Sequence, residues 1–216
     1  MALPSVSSYA LPSAADLPAA RAPWQLELHR AALLVHDMQE YFLRPFPANA
    51  SPIAPVKAHI AQLVHFCRKH GVPVFYTAQQ GDQLLHDRGL QAALWGPGMR
   101  AQPEHEAIAA EIAPHAEDTV LIKHRYSAFQ RSPLEELLKA RGRNQLLICG
   151  VYAHIGCQLT AAEAFQRDIE PFMVADALAD FSYAHHIQAL QWAAVTCAPA
   201  ILTDQILTTE RLAVCN

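Results

Sequence analysis

Apolar residues fall along this chain in two rhythms. The first is the short unbroken run: Ala31–Val35 reads Ala-Ala-Leu-Leu-Val, and Leu146–Cys149 reads Leu-Leu-Ile-Cys. Such runs suit strands that are covered on both faces. Val72–Thr77, Thr119–Ile122, Pro171–Ala175 and Ala200–Thr203 predict four more strands. Pro73 stands near the start of one of them, where a missing N–H matters least. The second rhythm is helical. In Lys57–Lys69 the apolar positions Ile60, Leu63, Val64 and Cys67 share one helix face, and Gly71 suits the residue just past its end. Further helices are predicted over Glu104–Ile112, from Ser132 to Gly142, over Cys157–Arg167 and over Tyr183–Thr196. Ser132, Pro133 and Glu135 together spell an N-cap, a first-turn proline and a capping box, and Ser182 caps the last helix. Strands that alternate with helices imply parallel βαβ units, hence a three-layer α/β/α sandwich around a six-stranded parallel sheet.

Two stretches stand outside this rhythm. Residues 1–24 are rich in Ala, Pro and Ser, and read as an extended arm pinned by Tyr9, Leu11, Leu17 and Trp24 to a body spanning 25–216. Gln79–Arg100 is a long excursion containing Trp95-Gly96-Pro97-Gly98, and long ordered loops in compact domains usually serve function. Neither an internal repeat nor a second domain is evident.

Composition narrows the class. The chain has 216 residues, 52% hydrophobic and 17% charged, enough to bury a full core without staples. A formal net charge of −4 argues against a nucleic-acid surface. Five cysteines without CxxC spacing read as reduced thiols rather than a disulfide framework. The twelve histidines show no HExxH or zinc-ribbon spacing, so no metal is expected, and the adjacent His185 and His186 point in different directions on their helix. There is no signal peptide pattern and no apolar run of about 18 residues, so a soluble, cytoplasmic protein without membrane contact is expected. No GxGxxG or GxxxxGK[ST] occurs, which leaves nothing to suggest a dinucleotide or nucleoside triphosphate.

Parallel α/β sheets place their chemistry beyond the carboxyl ends of the strands. Three positions answer to that rule. Gly150 breaks the strand Leu146–Cys149, and the turn Val151–Gly156 leads into a helix. Asp37 follows the first strand, and Lys123 follows Thr119–Ile122. Asp37 alone also reads as a helix N-cap, and Lys123 alone as a lysine reaching to the surface. As a pair at one end of one sheet, each would explain the other, since a buried carboxylate is costly unless paired. Gln79, Arg88, Arg125, Tyr126 and Tyr152 lie on loops at the same end, and an arginine there holds an anion bidentately. Cys157 invites a thiol-nucleophile reading, but the residue on the turn itself is Gly156, and buried cysteine is a common filler.

Several stretches resemble the isochorismatase family, within the cysteine-hydrolase-like superfamily that also holds the nicotinamidases. They are LLVHDMQEYF at 33–42, FYTAQ at 75–79, RGL to LWGPG at 88–98, KHRYSAFQRSPLEELL at 123–138, and the long stretch from Gly150 to Ser182. Nicotinamidases place their nucleophilic cysteine where this chain has Gly156, whereas isochorismatases have glycine there. The resemblance therefore implies hydrolysis of the vinyl ether of isochorismate to 2,3-dihydro-2,3-dihydroxybenzoate and pyruvate, feeding catechol siderophores, without cofactor or metal. It implies Asp37 as proton donor, with Lys123 and Gly156 completing the catalytic set and Gly156 leaving room for the enolpyruvyl group. Gln79, Arg88, Trp95, Tyr126, Tyr152 and Phe42 are the substrate-binding candidates. It also implies strand order 3-2-1-4-5-6, a non-proline cis peptide at Val151–Tyr152, a homodimer, and siderophore-synthesis enzymes as partners. Alternatives are the phenazine-pathway substrate 2-amino-2-deoxyisochorismate and a non-catalytic scaffold. His124 departs from the family's KWRYSAF, where a tryptophan follows the lysine. No aryl carrier domain follows, so the chain reads as a stand-alone enzyme or a truncated one.

Overall fold

The computed structural model describes residues 3–209; residues 210–216 of the expected body lie outside the described residues. Six strands form one sheet: β1 (Ala31–His36), β2 (Val74–Ala78), β3 (Thr119–Ile122), β4 (Gln145–Val151), β5 (Glu170–Ala179) and β6 (Ala200–Ile201). Every pairing is parallel, and the order is β3-β2-β1-β4-β5-β6, as the resemblance implies. The unbroken apolar runs are strands covered on both faces, since β1, β2 and β4 are buried at every position.

Successive side chains alternate between the two faces. Ala31, Leu33 and Val35 enter one core with Val56, Ile60, Leu63, Val64 and Cys67 of the helix Ile53–Lys69. Ala32 and Leu34 enter the other with Leu134, Leu138, Ala161, Ala164, Ala189, Leu190 and Ala193. Each fully buried leucine contributes about 1.5–3 kcal/mol, so two such cores hold the sheet rigid and fix what stands at its edge. From the N-terminal segment, Val6 is buried, and Tyr9, Leu11, Leu17 and Trp24 are half-buried against these cores.

Several boundaries differ from expectation, each for a local reason. β2 starts at Val74 because Pro73 has no N–H to donate, although its carbonyl accepts from Leu33 at 3.0 Å. The stretch 104–112 is not one helix. Pro103–Glu106 and the 3₁₀ turn Ala110–Ile112 flank Ile108, which bridges antiparallel to Gln39. β5 runs four residues beyond Ala175, through an alanine-rich stretch whose composition carries little strand signal. Its register against β4 shifts between Ile148 and Gly150. β6 stops at Ile201, because Asp176 Oδ1 accepts from both the Thr203 N–H and hydroxyl at 2.8 Å and starts the helix Thr203–Leu207. The capping box at 132–135 is half made. Ser132 Oγ accepts from the Leu134 N–H at 3.2 Å, while Glu135 pairs with Lys139 and Arg167. Helix Tyr183–Thr196 has the expected bounds, with the Ser182 side chain accepting from the His185 N–H. Among the described residues no helix is long and apolar enough to cross a membrane.

Candidate active site

β1 ends at His36, and the next residue, Asp37, turns with φ +50°, a left-handed conformation that aspartate tolerates better than most residues. The turn aims its carboxylate across the end of the sheet. Lys123, one residue past β3, reaches inward until Nζ lies 2.9 Å from Asp37 Oδ2. The neighbouring strand supplies two more donors: the Thr77 hydroxyl at 2.6 Å from Oδ1 and the Gln79 amide at 3.1 Å from Oδ2. Lys123 Nζ also donates to the carbonyls of Arg125 (2.8 Å) and Tyr126 (3.4 Å). The side chains of Asp37 and Lys123 are 7% and 2% exposed, so this is a buried ion pair whose members would each be costly alone. Burial pushes the Asp37 carboxyl up, but the Lys123 charge, His36 and the hydrogen bonds outweigh it, and its pKa lies below the usual carboxylate range.

Around the pair lies a cavity lined by Phe42, Gln79, Arg88, Trp95, Lys123, Tyr126, Tyr152 and Gly156, so the structure brings these eight candidates to one place with Asp37. Arg88 is 7% exposed and donates through Nε to the Gly96 carbonyl at 2.7 Å. Among the described residues no carboxylate pairs with it, and burial lowers its pKa. Gly98 holds φ +86° there, and a Cβ on it would come within 2.7 Å of the guanidinium. Trp95 Nε1 donates to the Tyr126 hydroxyl at 2.6 Å, which locks two walls together. Tyr152 follows a cis peptide at Val151. Its hydroxyl donates to the Phe42 carbonyl at 2.7 Å, and its ring stacks on Phe181 at 4.1 Å. Tyr152 therefore offers the cavity a ring and keeps its hydroxyl for the backbone.

Two expectations are corrected. Gly156 does not open space, because the His36 imidazole fills it: a Cβ at 156 would lie 2.2 Å from His36 Cε1. Arg125 stays out of the cavity, donating instead to the carbonyls of Asp87 (2.6 Å) and His124 (2.7 Å). Cys157 is fully buried, and burial pushes its thiol well above the ordinary value. It sits at the end of a π-helical turn, Ala153–Cys157, which precedes the helix Gln158–Gln166 where one α-helix was expected.

Sequence reasoning missed His36, Thr77 and Gln39. His36 sits between two carbonyls, Nδ1 2.8 Å from Val151 O and Nε2 3.2 Å from Tyr126 O, and burial lowers its pKa. Gln39 accepts from the Gln79 N–H at 2.7 Å and donates to the Gln79 carbonyl at 2.8 Å, which fixes the backbone of Gln79. The available signal was period: Thr77 and Gln79 share one face at the end of β2, and His36 and Gln39 flank Asp37.

The isochorismatase domain model matches residues 31–205. Enterobactin synthase component B from Escherichia coli (strain K12) is 50% identical over 207 residues, covering 96% of this chain and 73% of that protein. Phenazine biosynthesis protein PhzD1 from Pseudomonas aeruginosa is 49% identical over 205 residues, covering 95% and 98%. Among solved structures, a cysteine hydrolase from Pseudomonas syringae pv. phaseolicola shares the fold with a TM-score of 0.79 at 23% identity, covering 92% of this chain and 99% of that one.

Proposed function

The chain belongs to the isochorismatase family, and from that premise we propose that it hydrolyses the vinyl ether of isochorismate to 2,3-dihydro-2,3-dihydroxybenzoate and pyruvate. One observation carries the reading. A buried Asp37–Lys123 pair stands in a cavity with a buried Arg88 that no carboxylate among the described residues pairs, and glycine occupies the position where a thiol nucleophile would stand. An enol ether yields to water by protonation of its methylene carbon, which needs a positioned acid and stabilisation of the cation that follows. In this reading Asp37 delivers that proton and its carboxylate then faces the oxocarbenium ion. Water adds to the cation, and the hemiketal collapses to pyruvate and the ring alcohol. No side-chain nucleophile takes part, in keeping with a Cys157 thiol that burial keeps protonated.

Arg88 suits one substrate carboxylate, since a buried guanidinium that no anion among the described residues pairs is a receptor for one. All of Phe42, Gln79, Trp95, Lys123, Tyr126 and Tyr152 line the cavity; in this reading Lys123 and Gln79 face the reacting group and the aromatic side chains wall the ring. A cytoplasmic homodimer completes the proposal, and its acting beside siderophore-synthesis enzymes is supported by the enterobactin synthase relative. Residues 1–24 are taken as an arm on a hydrolase body.

A second substrate, 2-amino-2-deoxyisochorismate, is favoured by the phenazine-pathway relative, which this chain matches over nearly its whole length. The test compares pyruvate release from isochorismate and from its amino analogue, with ammonia release from nicotinamide as control. The larger kcat/KM on isochorismate is expected. Ammonia without pyruvate release would overturn the vinyl-ether reading.

A further inference from the structure

One group of side chains outside the site is drawn from three elements. His154 stands in the π-helical turn, Asp180 one residue past β5, and His185 in the first turn of the helix Tyr183–Thr196. His154 Nδ1 lies 2.7 and 2.8 Å from the two Asp180 oxygens. The imidazoles of His154 and His185 stack, with centroids 4.5 Å apart and planes 21° from parallel. One ligand atom from each of the three residues lies within 4.8 Å of the others. Asp180 is fully buried, and its carboxylate also accepts from the N–H groups of His154 (2.6 Å) and Phe181 (2.7 Å).

We propose that His154, Asp180 and His185 form a binding site for a zinc-like divalent transition-metal ion, separate from the hydrolytic centre. The donor set decides the class. Two imidazole nitrogens and one carboxylate suit zinc and its neighbours, whereas magnesium and calcium prefer oxygen alone. Ligand bonds of about 2.0–2.2 Å around a tetrahedral ion place donor atoms about 3.3 Å apart. The His154–Asp180 pair reaches that by opening about half an ångström, and His185 by turning its ring inward. The two backbone donors hold the carboxylate in place beforehand, as outer hydrogen bonds do at metal sites. The ion takes the place of the proton between His154 Nδ1 and Asp180, and the neutral ring then carries its N–H on Nε2. Phe181 separates the group from the cavity: it follows Asp180 directly and stacks on Tyr152. The ion is thus structural, bracing the wall that carries Phe181 and Tyr152.

The test uses the full chain after treatment with a chelator. Zinc is titrated by calorimetry, and cobalt(II) is added in parallel for its visible absorption. One equivalent of zinc is expected to bind, raising Tm by roughly 5–10 °C at free zinc about 100 times Kd. His185→Ala should lose that shift and at least about tenfold in affinity, while its metal-free activity stays at the parent level; His185→Glu should restore binding. His185 starts a well-capped helix, so these variants leave the fold intact. Zinc binding that is absent in the parent, or equal in parent and His185→Ala, would overturn the site and assign the metal to adventitious histidines.

Discussion

Gly156→Ala puts the correction at that position to a direct test. Its φ is not left-handed, so the backbone accepts alanine and the penalty is purely steric. The added Cβ would lie 2.2 Å from His36 Cε1, 2.7 Å from Nε2 and 3.1 Å from Nδ1. Carbon–carbon contacts settle near 3.5 Å, so the ring must retreat by more than about 1 Å. Val151 O and Tyr126 O hold it on two sides, and His36 is 1% exposed, so there is no open space to enter. Overpacking of this kind costs about 1–3 kcal/mol, a Tm loss of several degrees for a chain of this size. The functional cost is larger, because His36 is bonded to Asp37 in the chain. A displacement of about 1 Å at a reacting group costs on the order of 10²-fold in rate. Thermal melts and steady-state pyruvate release measure the two effects. Removing the ring should relieve the clash, so Gly156→Ala combined with His36→Ala should be more stable than the two single losses summed, by about 1 kcal/mol or more. A Gly156→Ala enzyme with parental Tm and rate would refute the reasoning.

Other outcomes follow from the same geometry. Asp37→Asn keeps the shape but cannot deliver a proton, so kcat should fall by at least ~10²–10⁴-fold with KM little changed; an active variant would remove Asp37 as the acid. Cys157→Ala should leave kcat near the parent value, and a folded but inactive variant would restore a thiol mechanism. If Asp37 must be protonated, kcat/KM should fall with rising pH from a lower pH than kcat does, because the first reports the free enzyme and the second the substrate complex; coincident profiles would contradict this. Burial holds the His186 pKa at about 4, below the ordinary 6.5, so the unfolded chain binds the extra proton first. Stability from this group is full above pH 6.5 and is lost as pH falls towards 4, about 3 kcal/mol in all. Urea melts should show this limb, and His186→Leu should flatten it.

How much was legible can be judged from particular residues. β1, β2 and β4 were legible as unbroken apolar runs because they are buried at every position, and the parallel sense followed from the alternation of strands with helices. β5 was cut short because Ala177 and Ala179 pack as strand residues without the branching that marks one. The helix expected over 104–112 failed at Ile108, whose pairing with Gln39 is made 69 residues away and leaves no local trace. The meeting of Asp37 and Lys123 was legible, since both terminate strands at the same sheet end. The role of Gly156 was only half legible. A missing side chain is visible in a sequence, but the His36 ring that fills its place comes from a neighbouring strand. The His154–Asp180–His185 group escaped for the same reason, as its members are joined by the turn and the end of β5 rather than by a motif spacing.

The Asp37–Lys123 pair sets a problem for the proposed proton transfer. Each neighbour of the Asp37 carboxylate is a donor: Thr77, Gln79 and Lys123. All three stabilise the ionised form, so free Asp37 lacks the proton a general acid needs. A dianionic substrate changes the balance. One carboxylate beside Lys123 draws off part of the charge that depresses Asp37, and the added negative charge opposes ionisation directly. In the proposed mechanism Asp37 then gains its proton together with the substrate. After the proposed transfer to the methylene carbon it would return to the ionised state that the donors hold, now facing a cation. Each pKa step by which those donors favour the carboxylate is worth about 1.4 kcal/mol to the state after transfer. The interaction that disfavours the acid in the free enzyme is therefore the one that grows along the reaction, which is the condition for it to accelerate the chemical step.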